Sequence, residues 1–276
     1  MKSAICHYSF NRRYVAEKWT PDRLAKEVKA LGVDGVDFLT RMMDSIDTAA
    51  EQINRAVSDN RVILSSLSMS TNFNQPKAAD FAAEVASLTK WLDVAVKTKA
   101  PICRIFGGKL SQEERANAAK QNAAWQRMLD GLAEVTKEAA KRGVVLALEN
   151  HGGLPCLAEQ QVEVIKAIDS PALRATVDVG NYHAGGQDGH VSAAIVAPYA
   201  AYVHFKDNKK VADSASPWGW QEVPCALGEG DVDLIACMAV LKKAGYNGYV
   251  ALEYEGDEDE ATAVPRSVEV LKRLVN

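Results

Sequence analysis

Short apolar runs alternate with longer amphipathic stretches from one end of the chain to the other, which is the rhythm of strand–helix units building a parallel sheet. Eight runs read as strands: Ala4–Tyr8, Gly35–Leu39, Val62–Leu67, Ile102–Phe106, Val144–Glu149, Ala175–Val179, Tyr202–Lys206 and Tyr249–Glu253. Eight units suit closure into one α/β domain, a (β/α)8 TIM barrel over residues 1–276. Alternation inside the later runs assigns faces. Val203 and Phe205 oppose Tyr202, His204 and Lys206, while Val250, Leu252 and Tyr254 oppose Ala251, Glu253 and Glu255. Ala175, Val177 and Val179 oppose Thr176 and Asp178, and Leu146 and Leu148 oppose Val145, Ala147 and Glu149. Successive strand side chains point to opposite sides, so the apolar sets are expected against a helical shell and the small or polar sets toward the barrel axis.

The stretches between carry helix punctuation. Thr20–Pro21 places a cap before a proline at the first helical position, with an end near Gly32. Phe81, Val85, Leu88, Leu92 and Val96 form a stripe expected to pack on the barrel. Ser111 with Glu114 reads as a capping box opening a long helix through Trp125, Leu129, Leu132 and Val135 to Gly143. The acidic run Asp257–Glu260 reads as the solvated start of the final helix. Asn208–Gly230 is long and polar, contains PWGW at Pro217–Trp220, and is expected to be a lid loop, with Trp218 offering aromatic surface to a substrate.

Composition narrows the function classes. The 276 residues are 47% hydrophobic and 25% charged with a net charge of −4, ordinary for a globular protein. No basic tail or lysine-rich block is present, so no nucleic-acid partner is expected. No apolar run approaches the roughly 18 residues of a membrane span, and MKSAICHYSF lacks the apolar core of a signal peptide. Five scattered cysteines without a CxxC pair argue against a disulfide framework and for a reduced, cytoplasmic protein.

The chemistry sits at the polar ends of four late runs. Glu149, Asp178, His204 and Glu253 are separated by 29, 26 and 49 residues and share inward parity, so all four converge on one mouth. A lone strand glutamate is usually a surface or ion-pair residue, but four such groups facing one another would raise one another's pKa and destabilise the fold without a cation. Two glutamates, one aspartate and one histidine form an oxygen–nitrogen set suited to a single divalent ion, manganese first, with magnesium, cobalt and zinc as alternatives.

The motifs LEN at Leu148–Asn150, DVGN at Asp178–Asn181, HFKD at His204–Asp207, GEGDVD at Gly228–Asp233 and ALE at Ala251–Glu253 resemble the xylose isomerase-like TIM-barrel superfamily, in its sugar-phosphate isomerase/epimerase branch. The resemblance implies that Glu149, Asp178, His204 and Glu253 bind one metal and that Glu149 and Glu253 move protons. The implied activity is isomerisation or epimerisation of a keto-sugar or related polyol through an enediolate. A lyase or dehydratase acting on a keto-polyol or 3-keto-glycoside is the alternative. The related endonuclease IV pattern needs further histidines, which are missing from strands three and four and from position 181, where Asn181 stands. Expected substrate contacts are His183 and His151 in loops, Lys206 beside His204, Arg104 in ICRIFGG and His7 at the end of strand one. Asp207 and Asn150 are expected to orient the ligands. The partner is a small carbohydrate or polyol, and assembly into dimers or tetramers is expected.

Overall fold

A computed structural model describes residues 1–151, 153–214 and 219–276. The eight predicted strands form β1 (Lys2–Cys6), β2 (Gly35–Leu39), β3 (Ile63–Ser68), β4 (Cys103–Phe106), β5 (Leu146–Glu149), β6 (Leu173–Asp178), β7 (Ala200–Phe205) and β8 (Tyr249–Leu252). They pair in the order β3-β2-β1-β8-β7-β6-β5-β4, every pair parallel. At the seam, Leu67 N–H donates to the Ile102 carbonyl at 3.0 Å and Met69 N–H to the Arg104 carbonyl at 2.8 Å, joining β3 to β4 and rounding the sheet into a barrel. Each strand leads into an outer helix: 21–30, 46–60, 78–98, 118–142, 158–168, 189–196, 234–243 and 260–275.

The two faces separate as alternation requires. Leu146, Leu148, Val177, Val203, Phe205, Val250 and Leu252 join the large core under the helices. Ala4, Ala147, Tyr202 and Ala251 form a small separate cluster inside the barrel. Tyr202 closes the interior there, its hydroxyl 2.9 Å from Ser65 Oγ. Small side chains on neighbouring strands leave room for one large ring, so the axis is filled below the site and open above it.

Several local expectations change. Strand one ends at Cys6, and His7–Phe10 form a 3-10 turn that carries His7 off the strand. Ser111 and Glu114 do make a capping box, but it caps the short helix Gln112–Arg115, and the long helix starts at Ala118 under an Asn117 cap. Asn117 sits at φ −138° and ψ 111°, an extended residue that breaks the run in two. In the helix 78–98, Leu88, Leu92 and Ala95 are buried while Val96 is exposed. Steps of four overshoot a helical turn by about 40° each, so the buried face drifts off the predicted stripe. Glu260 is not solvated. It is buried and accepts from the Arg12 and Arg13 backbone N–H groups, both at 2.9 Å, so the last helix braces the short helix Asn11–Ala16 that follows β1.

The expected lid loop is instead a hairpin, Asp207–Ala212 antiparallel to Trp220–Cys225 in register Asp207↔Cys225 through Ala212↔Trp220. Cross-strand backbone pairing rather than apolar alternation builds it, which is why it reads as loop. Trp218, the expected aromatic contact, lies outside the described residues. Among the described residues no helix is long and apolar enough to cross a membrane.

Candidate metal centre and active-site cleft

Each of the four predicted ligands is tethered through one polar atom and presents the other to a common point. Asp178 ends β6 and also caps the short helix 179–184, its Oδ1 accepting from Asn181 N–H at 2.9 Å. Glu149 Oε1 accepts from Asn181 Nδ2 at 3.2 Å, and Glu253 Oε1 accepts from the Cys6 thiol at 3.4 Å. His204 Nε2 lies 3.3 Å from Asp37 Oδ2, a carboxylate that can only accept, so Nε2 carries the proton. The remaining atoms converge. His204 Nδ1 is 3.3 Å from Glu149 Oε2, 3.4 Å from Glu253 Oε2 and 3.9 Å from Asp178 Oδ2. One ligand atom from each of the four lies within 4.8 Å of every other.

Three of these atoms, Glu149 Oε2, Asp178 Oδ2 and His204 Nδ1, are buried and make no hydrogen bond. Unsatisfied buried polar groups are costly, and three aimed at one point are what a cation would satisfy. Charge gives the same answer. The buried carboxylates of Asp37, Glu149, Asp178 and Glu253 face the buried fixed cations Arg104 and Lys206. With Glu255 3.1 Å from Lys206, carboxylates outnumber the fixed cations, an excess of negative charge that a divalent cation would offset. The cluster can therefore hold a metal ion.

Electrostatics separates the two glutamates. Burial pushes the Glu149 carboxyl up to about 7, against the pull of Arg104 and His204. Burial would also raise Glu253, but Lys206 and His204 outweigh it and hold that carboxyl well below its usual range. Lys206 Nζ stands 2.9 Å from Glu253, 3.1 Å from Glu255 and 3.5 Å from Asp178, and donates to Asn181 Oδ1 at 3.2 Å. Burial alone would lower the His204 imidazole, yet Glu253, Asp37 and Glu149 hold it up at about 10. A cation at Nδ1 must displace that proton.

Close backbone approach explains two of the motif glycines. A Cβ on Gly180 would lie 2.8 Å from Lys206 Cβ and from its carbonyl oxygen, so only glycine lets DVGN pack on HFKD. Asp207 gathers N–H groups of Gly228, Gly230 and Val232 at 2.8, 3.0 and 3.3 Å, and a Cβ on Gly230 would collide with its Oδ1. Asp207 thus pins the loop after the hairpin and does not touch a ligand side chain. Asn150 does act on a ligand's backbone, bonding the Asp178 carbonyl and N–H, both at 3.3 Å.

A cleft of about 430 Å³ reaches the cluster at Glu253, lined also by Tyr8, Arg41, Arg104, Phe106, Lys109 and His151 among others. His151 stacks on Phe106 with ring centroids 4.2 Å apart, its Nδ1 3.7 Å from Glu149 Oε1. Burial and then Lys206 lower its pKa to about 4, so it is neutral at pH 7. The Arg104 guanidinium lies over the other ring contact, 4.3 Å from the Phe106 centroid, and pairs with Glu149 at 3.2 Å. His183 lies elsewhere, its Nδ1 3.2 Å from Glu222 of the hairpin. His7 is fully buried with its ring 4.2 Å from Tyr14 and 6.1 Å from Phe38, and it does not line the cleft. Asp37 escaped the sequence reading. Its signal was a single acidic residue inside the short strand GVDFL, far along the chain from the histidine it meets.

Comparison with known proteins agrees with this picture. The family model described as "Xylose isomerase-like TIM barrel" matches residues 25–274. An inosose dehydratase of Bacillus licheniformis is 29% identical over 148 residues, covering 50% of this chain and 49% of that protein. The chain therefore spans about half the length of the first curated relatives it matches. L-ribulose-5-phosphate 3-epimerase UlaE of Escherichia coli K12 is 24% identical over 255 residues, covering 86% of this chain and 85% of that protein. A xylose isomerase-like TIM-barrel protein from Mycobacterium smegmatis, solved in complex with magnesium, superposes with a TM-score of 0.74 at 18% identity over 100% of this chain and 98% of the other.

Proposed function

The chain belongs to the xylose isomerase-like TIM-barrel family, and from that premise we propose that it is a divalent-metal-dependent isomerase or epimerase of a keto-sugar or related polyol. The observation that carries this reading is the convergence of Glu149 Oε2, Asp178 Oδ2 and His204 Nδ1, none of them hydrogen-bonded, with Glu253, which also lines the cleft. Those four side chains would hold the ion, with manganese the first choice for such an oxygen–nitrogen set. What a bound divalent cation supplies is charge withdrawal from a carbonyl and its neighbouring hydroxyl, which acidifies the intervening C–H and stabilises the enediolate.

The protein's own groups do the proton work. Glu149 and Glu253 come from β5 and β8 and flank His204 at 3.3 and 3.4 Å. One removes the α-proton and the other returns it. Return to the opposite face of the same carbon inverts it; return to the adjacent carbon isomerises the sugar. Lys206 acts from behind by keeping Glu253 ionised. Neutral His151 and the Arg104 guanidinium, both on the cleft wall, are the assigned contacts for substrate oxygens. His183 is the further substrate contact expected from the sequence, and its Nδ1 lies 3.2 Å from Glu222 of the hairpin.

Dehydration is the second reading, supported by the inosose dehydratase relative. The same enediolate can expel a β-hydroxyl. Keto-sugars, inososes and 3-keto-glycosides incubated with protein and manganese in deuterated water, followed by proton NMR, separate the two. Exchange of one C–H without loss of a hydroxyl supports epimerisation or isomerisation. A new vinylic signal supports elimination, and neither signal with any of the three substrate classes counts against both.

A further inference from the structure

The four ligands come from β5–β8, yet the polar interior continues across β2, β3 and β4 in an unbroken circuit. Asp37 Oδ2 on β2 takes two contacts, His204 Nε2 at 3.3 Å and the Ser68 hydroxyl of β3 at 2.7 Å. Ser68 Oγ in turn accepts from Arg104 Nε on β4 at 3.1 Å. The same Arg104 Nε is 3.2 Å from Glu149 Oε2 on β5, and Glu149 Oε2 is 3.3 Å from His204 Nδ1. All five side chains are buried.

We infer that Asp37 and Ser68 are positioning residues, closing through Arg104 a ring with His204 and Glu149 that presets two ligand atoms for the cation. The inference rests on the metal-centred reading above. Donor and acceptor chemistry fixes the direction of the ring. A carboxylate at Asp37 has no proton to give, so His204 Nε2–H and Ser68 O–H both donate to it. Ser68, its proton committed, can only accept from Arg104. The consequence at His204 is that Nε2 is occupied by a proton and Nδ1 is the nitrogen left to a cation. The consequence at Glu149 is that one oxygen is held by Asn181 and the other is drawn toward Arg104 and the cluster. Histidine ligands generally depend on such a partner on their second nitrogen, and losing it typically weakens metal binding 10–100-fold.

The test is titration calorimetry of manganese into the metal-free protein. Asp37→Asn keeps the shape of the side chain and removes its charge, and Ser68→Ala opens the ring at a second place. The expected result is a Kd raised about 10-fold or more by Asp37→Asn, a smaller rise for Ser68→Ala, and a double variant whose effect is less than the product of the two, because both break one ring. The melting temperature of the metal-free variants is measured alongside, and Ser68→Ala, which removes no charge, should leave it near that of the parent. A purely structural role would instead lower that temperature and leave Kd in place. If Asp37→Asn fails to fold, Ser68→Ala alone decides. Parent-like Kd in both folded variants overturns the ring while leaving the metal site standing. A parent protein that binds no divalent cation overturns the site and the ring together.

Discussion

The two halves of the barrel do different work. β5–β8 end in side chains that point bare atoms into a shared space: Glu149, Asp178, His204 and Glu253. β1–β4 offer no cluster member of that set, but they supply Cys6 to Glu253, Asp37 to His204 and Arg104 to Glu149. One half presents the proposed ligands, steadied in part by its own Asn181 and Lys206, and the other half adds the remaining holds. A site made of four buried acids and bases needs both, because in a low-dielectric interior an unheld carboxylate either takes up a proton or turns away.

The sharpest way to break this comparison is to remove a ligand. Glu253→Gln should lower exchange of a substrate α-proton at least about 100-fold, the size of a lost general base, and proton NMR in deuterated water reads it directly. His204→Ala should leave the purified protein without its divalent ion by elemental analysis. A variant that keeps parental metal content would take His204 out of the set.

Next in size is a support residue in the first half. Arg104→Met keeps bulk and leaves Glu149 facing Glu253 and Asp178 without its cation. The expected loss is about 3 kcal/mol of stability, the usual cost of removing one partner of a buried pair, measured by urea unfolding of the metal-free protein. No loss would mean that Arg104 contributes little to holding the fold.

A smaller effect tests whether the first half also carries a penalty of its own. His7 is buried, and burial followed by the nearby Arg41 lowers its pKa from 6.5 to about 3. Between those values the unfolded chain holds a proton that the native chain does not, so stability falls as pH falls, by at most about 1.4 kcal/mol per pH unit. Above pH 6.5 the term vanishes. His7→Phe should flatten that slope in denaturant unfolding compared at pH 7 and pH 5, and an unchanged slope would point to other groups. Smallest of all, Arg55→Ala removes an exposed pair with Asp59 on the outer helix 46–60. It should shift stability by less than about 0.5 kcal/mol and leave metal content alone. A larger shift would show that the shell of the first half is coupled to the site.

Legibility in sequence follows the same division. The ligand half announces itself, since each of Glu149, Asp178, His204 and Glu253 interrupts an apolar run at a strand end with the same parity. The supporting half does not. Asp37, Ser68 and Arg104 each have an ordinary local setting, and their roles arise from contacts with residues 167, 31 and 36 positions away. Glu260 looked like a solvated helix start for the same reason: its partners are backbone groups at Arg12 and Arg13. The hairpin after β7 was hidden because its pairing is made by backbone hydrogen bonds, which leave little trace in side-chain pattern.

What the amino-acid order determined by itself was the set of local choices: strands with two faces, helices with capped ends, and which side chains could reach the barrel axis. Those follow from the two-residue repeat of a strand and the 3.6-residue repeat of a helix, both readable within about ten residues. Only the closed barrel decided which inward groups meet, which atom of each is tethered and which is left bare. Hydrogen bonds and charges act over a few ångströms of space regardless of distance along the chain, so that part of the answer exists only once the ends of the sheet have joined.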